Sequence, residues 1–193
     1  PECVVVVLPI WGSFRVVDGE KDSFLATIRN EINELLPQFD ELGVRTVVLE
    51  SGYVLSSING FLSYLVPFFR LGLGGGYLGA ENLIPWVSIE DLESIIAYVV
   101  NDKSIRGFQR VSNPHELGTY STFFDSIATV LNANNLIRLP RMMVASLAGD
   151  FGREILFKEP TEEELSSAVP AEHYVHAGLC EALSVTLGET WNR

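Results

Sequence analysis

Cysteine, histidine, methionine and basic side chains are all scarce in this sequence, and each shortage narrows what the chain can be. Its two cysteines, Cys3 and Cys180, are too few for a disulfide framework. They read most simply as free thiols in a reducing, intracellular compartment, with a single bridge between them left open. Thirteen Lys and Arg stand against 25 Asp and Glu, for a formal charge of −12, and no stretch collects the cations. Such a surface repels a phosphate backbone, so nucleic acid is not an expected partner. Long hydrophobic runs are missing as well. The longest, Val4 to Trp11, contains Pro9 and falls far short of the ~20 residues a membrane span needs, so no transmembrane segment is expected. No secretory or transit pattern is legible. An apolar strand follows Pro1 almost at once, which makes an upstream part outside this numbering an expectation.

What is present suits a folded domain. The 193 residues are 47% hydrophobic and 20% charged, enough to bury a sizeable core. Cys3 to Leu8 is a β-branched run of the kind found in a strand buried on both faces of a parallel sheet. Asp22 to Leu36 carries Phe24, Leu25, Ile28, Ile32, Leu35 and Leu36 on one helical face, with Pro37 as its expected end. Val44 to Leu49 predicts a second buried strand, completing a strand–helix–strand unit and hence a parallel sheet. Further along, the pattern predicts a helix over 59–69, a glycine-rich break at 72–79, a strand over 83–89 and a helix from a capping box at Ser88-x-x-Asp91 to about Val100. An extended stretch over 107–112, a turn at Asn113-Pro114 and an amphipathic helix over 119–131 follow. Ile137 to Leu139 reads as a short strand, Pro140 opens a helix through about Phe157, Thr161-x-x-Glu164 caps another, and 171–187 is a helical tail. Strands alternating with helices give an α/β class.

Several motifs, in one order, go further than class. Pro67-Phe68-Phe69-Arg70-Leu71-Gly72-Leu73-Gly74-Gly75 is followed by Pro85-Trp86-Val87-Ser88-Ile89-Glu90-Asp91-Leu92. Arg45 to Leu55 reads RTVVLESGYVL, and Gly107-Phe108 leads to Asn113-Pro114. Over roughly residues 4 to 157 this resembles the epimerase-like, cell-division-inhibitor-like branch of the extended short-chain dehydrogenases/reductases, which carries PFRLGLGG, PWIHIDDL, RVVLLRTGVVL and GPFNLTAPNP. The resemblance covers the C-terminal half of such a domain. It implies the C-terminal part of a Rossmann-like parallel sheet plus the small substrate-side lobe, over residues 1–157, with a divergent helical C-terminal tail over 158–193.

The family's dinucleotide turn, GxxGxxG, lies upstream of this region. A pattern match does occur at Gly74-x-Gly76-x-x-Gly79, but it follows a helix and leads into a strand. A phosphate-binding turn must follow a strand and open a helix, so these glycines read as loop formers. Short-chain dehydrogenases in general carry a catalytic Tyr-x-x-x-Lys, in which the lysine helps the phenol exchange a proton, although the branch resembled here often lacks the pair. Those positions fall on Phe24 and Ile28, neither of which can move a proton. Trp11 stands where the branch tends to keep a polar serine and tyrosine region, with only Ser13 nearby. The family's arginine in RTG is Glu50, an anion beside the expected cofactor cleft. We therefore expect no catalytic residue and no cofactor, except NADP if a partner supplies the Rossmann half. Trp11, Phe24, Ile28 and Glu50 are the degenerate cofactor positions.

Other clusters are weaker. His173, His176 and Cys180 would lie at i, i+3 and i+7 of a helix, but span two turns, too far to reach one ion comfortably. They are weak metal candidates, and partner-facing or exposed histidines fit better. Arg138, Arg141 and Arg153 suit surface ion pairing better than an anion site. Two functional expectations follow. One is a non-catalytic subunit with a structural role in a larger complex, in an organellar matrix or stroma, since an uncovered strand edge requires other protein subunits. The other is half of a split NAD(P)-dependent epimerase or oxidoreductase, with its dinucleotide half on another chain or elsewhere in the protein.

Overall fold

The computed structural model describes residues 3–9, 24–76, 81–134, 140, 142 and 165–191. In chain order the elements are β1 (Val4–Val7), α1 (Phe24–Glu41), β2 (Arg45–Ser51), β3 (Tyr53–Leu55), α2 (Phe61–Arg70), β4 (Leu83–Ile84), β5 (Trp86–Ser88), α3 (Ile89–Asn101), β6 (Gly107–Val111), β7 (Gly118–Thr119), α4 (Tyr120–Val130), a 3-10 turn (Ala171–His173) and α5 (Leu179–Trp191). The main sheet runs β1-β2-β6, all parallel, with Val6 opposite Val47 and Leu49 opposite Gln109. β3 and β5 form a parallel pair, and β4 and β7 an antiparallel one. This is the mixed α/β, Rossmann-like arrangement the sequence predicts.

Two apolar cores divide the work. The sheet core gathers Val47, Leu49 and Val111 against Leu92, Ile95 and Val99 of α3. The lobe core holds Leu62, Val66 and Phe69 of α2, Trp86 of β5, Phe123 and Ile127 of α4, and Leu183 of α5. Val47, Val48 and Leu49 are fully buried, as their continuous apolar run requires. β1 is only half-buried, not buried on both faces as expected. Among the described residues it pairs with β2 alone, so its other edge meets no strand.

Helix α1 does not stop at Pro37 but continues one more turn, to Glu41. Proline removes the bond to the carbonyl four residues back, here Asn33. Asn33 and Pro37 are both exposed, so water satisfies that carbonyl and the ring finds room. The helix closes instead at Gly43, whose positive φ lets Val44 N–H reach the Phe39 carbonyl at 3.0 Å. The strand expected over 83–89 is two strands. Pro85 has no N–H to give a ladder, so β4 pairs on one side with β7 and β5 turns to β3. Ile89 already belongs to α3, whose cap is as expected: Ser88 Oγ accepts from the Asp91 N–H at 2.9 Å.

Arg45, the first residue of β2, is buried and donates to the carbonyls of Val99, Val100, Ile105 and Asp102 at 2.8, 2.9, 3.0 and 3.3 Å. It closes the C-terminus of α3 with a cation, where the helix dipole favours one. The 171–187 tail is not one helix. After the 3-10 turn the chain runs extended past Tyr174 before α5 begins at Leu179. The strand over 137–139, the helix from Pro140, the cap at Thr161 and the three arginines 138, 141 and 153 lie outside the described residues, apart from positions 140 and 142.

Candidate functional site

In an open parallel sheet, ligands bind beyond the carboxyl ends of the strands. Here those ends lead straight into the lobe. β2 ends at Ser51, and Gly52 carries the chain across to β3 of the lobe. Gly52 N–H donates to the Val111 carbonyl at 2.8 Å, and Tyr53 N–H to the Pro85 carbonyl at 2.8 Å. A Cβ on Gly52 would lie 2.6 Å from the Pro85 carbonyl carbon and 2.8 Å from the Trp86 nitrogen, so only glycine fits this crossing. Two residues past β6, the Asn113 N–H donates to the Trp86 carbonyl at 2.7 Å. Backbone bonds between neighbouring strand ends thus fix the lobe against the sheet at the mouth of the expected cleft.

Asn113 was expected only as a turn residue. It is fully buried and uses both ends of its amide. Oδ1 accepts from the N–H groups of His115 and Glu116 at 2.9 and 3.3 Å, and Nδ2 donates to the His176 carbonyl at 2.7 Å. Glu116 continues the stitching: its carbonyl accepts from Trp86 Nε1 at 3.0 Å and its carboxylate from the Leu179 N–H, opening α5, at 2.7 Å. Asp91 was expected as part of a capping box. Its carboxylate turns instead to the C-terminal segment and accepts from the N–H groups of Val175 and His176 at 2.5 and 3.3 Å. No local sequence signal reveals these partners, which lie 63 to 85 residues away.

The degenerate positions fall as follows. Phe24 is the first residue of α1 and Ile28 stands one turn later, half-buried, directly downstream of β1 as the resemblance implies. Glu50 lies next to last in β2, on the face opposite the sheet core. It is not an isolated anion: Arg110 Nε of β6 stands 3.6 Å from its carboxylate. Trp11 and Ser13 lie outside the described residues. The glycines Gly74 and Gly76 are filled from within the fold, because a Cβ at Gly74 would enter the Phe69 ring at 2.3 Å and one at Gly76 would meet Phe124 at 2.8 Å. They let α2 and α4 approach their loop, and no phosphate could displace those rings.

The weak metal set is not brought to one face. His173 sits in the 3-10 turn with its ring stacked on Tyr98, centroids 4.0 Å apart. His176 is buried in the extended stretch, 3.7 Å from the Glu90 carboxylate, and Cys180 is exposed on α5. The single helix assumed for them is broken by residues 174–178. Among the described residues no group of three or more His, Cys, Asp or Glu side chains could hold a metal ion. No described helix is long and apolar enough to cross a membrane. Two tyrosine contacts went unforeseen. The hydroxyls of Tyr53 and Tyr120 meet at 2.7 Å inside the lobe. Tyr174 shares a hydrogen bond of 2.6 Å with Ser167 Oγ, and burial pushes its phenol up to about 12.

No family model matches the chain. The epimerase family protein SDR39U1 of Bos taurus is 33% identical over 110 residues, which are 57% of this chain and 36% of that protein. The chloroplastic SDR39U1 homolog of Arabidopsis thaliana is 24% identical over 115 residues, 58% of this chain and 32% of that protein. Among solved structures, human SDR39U1 (isoform 2) with NADPH matches with a TM-score of 0.66 at 21% identity, covering 95% of this chain and 60% of that one. In sequence and in fold the chain is similar to the epimerase-like family of extended short-chain dehydrogenases/reductases. Thermus thermophilus UDP-glucose 4-epimerase with NAD shares the fold at a TM-score of 0.62 and 15% identity, covering 96% of this chain and 63% of that enzyme.

This epimerase-like chain spans only about a third of the length of those curated relatives, 36% and 32%. The expectation of no cofactor is corrected by the comparison. The human protein holds NADPH and the Thermus enzyme NAD, so nucleotide binding belongs to the group whose fold this chain shares. Four degenerate positions, Trp11, Phe24, Ile28 and Glu50, were too narrow a basis for that expectation. They bear on proton transfer and on one charge, and Arg110 offsets that charge.

Proposed function

We propose that this chain forms the strand-end and lobe wall of an NAD(P) site of the epimerase type, with the pyrophosphate turn supplied by a strand–GxxGxxG–helix segment outside these residues. The observation that carries the reading is the course of the chain at Gly52 and Asn113. There, parallel strands end and pass into a separate apolar lobe, the place where open α/β sheets hold ligands. The nicotinamide end of the cofactor and the substrate would lie against this wall. Phe24 and Ile28 supply no proton donor at the start of α1, so any chemistry there runs without the tyrosine–lysine pair.

The test is NADPH and NADH titration of the full native protein or its co-purified assembly, followed by dihydronicotinamide fluorescence. Saturable binding of either is expected, weakened by Gly52→Ala at the crossing. Failure to bind both cofactors overturns the reading.

A second reading, a non-catalytic subunit of a larger complex, draws on the outer edge of β1, unpaired among the described residues, and on the half-exposed Leu8 and Phe108. The chloroplastic relative favours a plastid as its setting. Isolation from native tissue with stably associated subunits is expected under this reading, and a monomer in gel filtration sinks it.

A further inference from the structure

Residues 165–178 form a strap across the molecule. The Ala168 N–H donates to the Arg110 carbonyl at 2.9 Å on the free side of β6, and Val169 and Tyr174 enter the sheet core. Leu179, directly after the strap, enters the lobe core. The strap is the stretch that ties both cores together at the candidate cleft. Its attachment point carries an unbalanced set of buried groups. His176 is 6% exposed, and among the described residues neither ring nitrogen has a hydrogen-bond partner. Glu90 Oε2, 3.7 Å from His176 Nε2, has none either, nor has Asp91 Oδ2. Asp91 Oδ1 already holds the strap through the Val175 and His176 N–H groups.

A neutral imidazole offers one donor and one acceptor, and both are unmade here. A protonated one offers two donors and a positive charge beside the Glu90 carboxylate at the start of α3, 3.7 Å from Nε2. The other ionisable groups of the neighbourhood do not compete for the ring. Glu116 is engaged at the Leu179 N–H, His173 stacks on Tyr98, and the Tyr174 hydroxyl pairs with Ser167. His115, Glu172 and Glu181 are exposed.

We propose that the strap is a proton-sensitive latch, in which protonation of His176 beside Glu90 tightens the segment 174–178 onto α3 and so holds the lobe against the sheet.

Hydrogen exchange of the full protein, corrected for intrinsic rates, tests this at the Val175 and His176 amides. Protection is expected to rise about tenfold from about pH 8 to about pH 6, the scale of a charge-assisted hydrogen bond at a histidine. The Leu131 amide, in the lobe away from the strap, should not follow. His176→Gln should abolish the rise, and Glu90→Gln, which keeps the shape at the surface of α3, should reduce it. Protection that is flat or falls on acidification overturns the proposal. So does a rise that survives unchanged in both variants, or in Glu90→Gln alone if His176→Gln does not fold.

Discussion

Replacing Arg45 by methionine removes the guanidinium that closes α3 while leaving most of the aliphatic stem. Four carbonyls lose their donor, but they do not lose equally. Val99 is fully buried, so its carbonyl has no water to turn to, whereas Val100 is 41% exposed and Asp102 and Ile105 are partly exposed. One orphaned buried carbonyl costs about 1–3 kcal/mol. Loss of a cation at the helix C-terminus adds about 0.5–1 kcal/mol. Against this, the variant no longer buries a charge, which returns part of the sum. The expected net loss is about 2–3 kcal/mol, and at this chain length about 2–4 °C of Tm accompanies each kcal/mol. Urea unfolding at neutral pH measures it, with exchange of the Asp102 amide as the local readout. Arg45→Lys keeps the charge but cannot span four carbonyls, so it should recover less than half. A loss below about 1 kcal/mol, or full recovery by lysine, would refute the view that fork geometry holds this helix end.

The same reasoning reaches other sites. Gly52→Ala forces a methyl to within 2.6 Å of the Pro85 carbonyl, so the sheet-to-lobe crossing must shift, with an expected loss of about 1–3 kcal/mol in thermal unfolding. Tyr174, raised from 10.0 to about 12 by burial, favours its neutral form in the fold. Its contribution is fully present below the unfolded value and is lost as pH rises through about 12, at most about 2.7 kcal/mol, and Tyr174→Phe should flatten that alkaline decline. The Ser104 hydroxyl, then the Ser104 N–H, hold the Asp102 carboxyl below its ordinary 3.8, with Arg45 assisting and desolvation opposing. Its contribution is therefore present above the unfolded value and lost as pH falls through the lowered one, and Asp102→Asn should remove that part of the acid transition. Tyr53→Phe breaks the buried hydroxyl pair with Tyr120 at 2.7 Å, an expected loss of about 1 kcal/mol in urea unfolding.

Local chemistry made much of this architecture legible. The apolar centre of β2, Val47-Val48-Leu49, puts apolar side chains on both faces of the strand, as a buried strand requires. Ser88 three residues before Asp91 could cap a helix without any long-range help, and it does. The motif order gave the family resemblance, because each motif sits where a short segment has one structural use. The Gly74 and Gly76 pattern was discounted on its strand and helix context, and the rings of Phe69 and Phe124 give the physical reason.

What the sequence could not show were outcomes decided by distant surfaces. Whether Pro37 ends a helix depends on whether the carbonyl it frees meets water. Whether Glu50 repels a phosphate depends on Arg110, 60 residues later in sequence and 3.6 Å away in space. Spacing made His173, His176 and Cys180 neighbours on an imagined helix, and the fold sent them to three environments. Asp91, Asn113 and Glu116 carry ordinary cap and turn signals, yet their side chains hold down a segment more than 60 residues away. The sequence by itself determined the α/β class, most of the strands and helices and the family they resemble, because those follow from periodicity and local bonding. The tertiary structure alone decided where the polar groups find their partners, because a buried charge or amide is satisfied by whatever the fold brings against it.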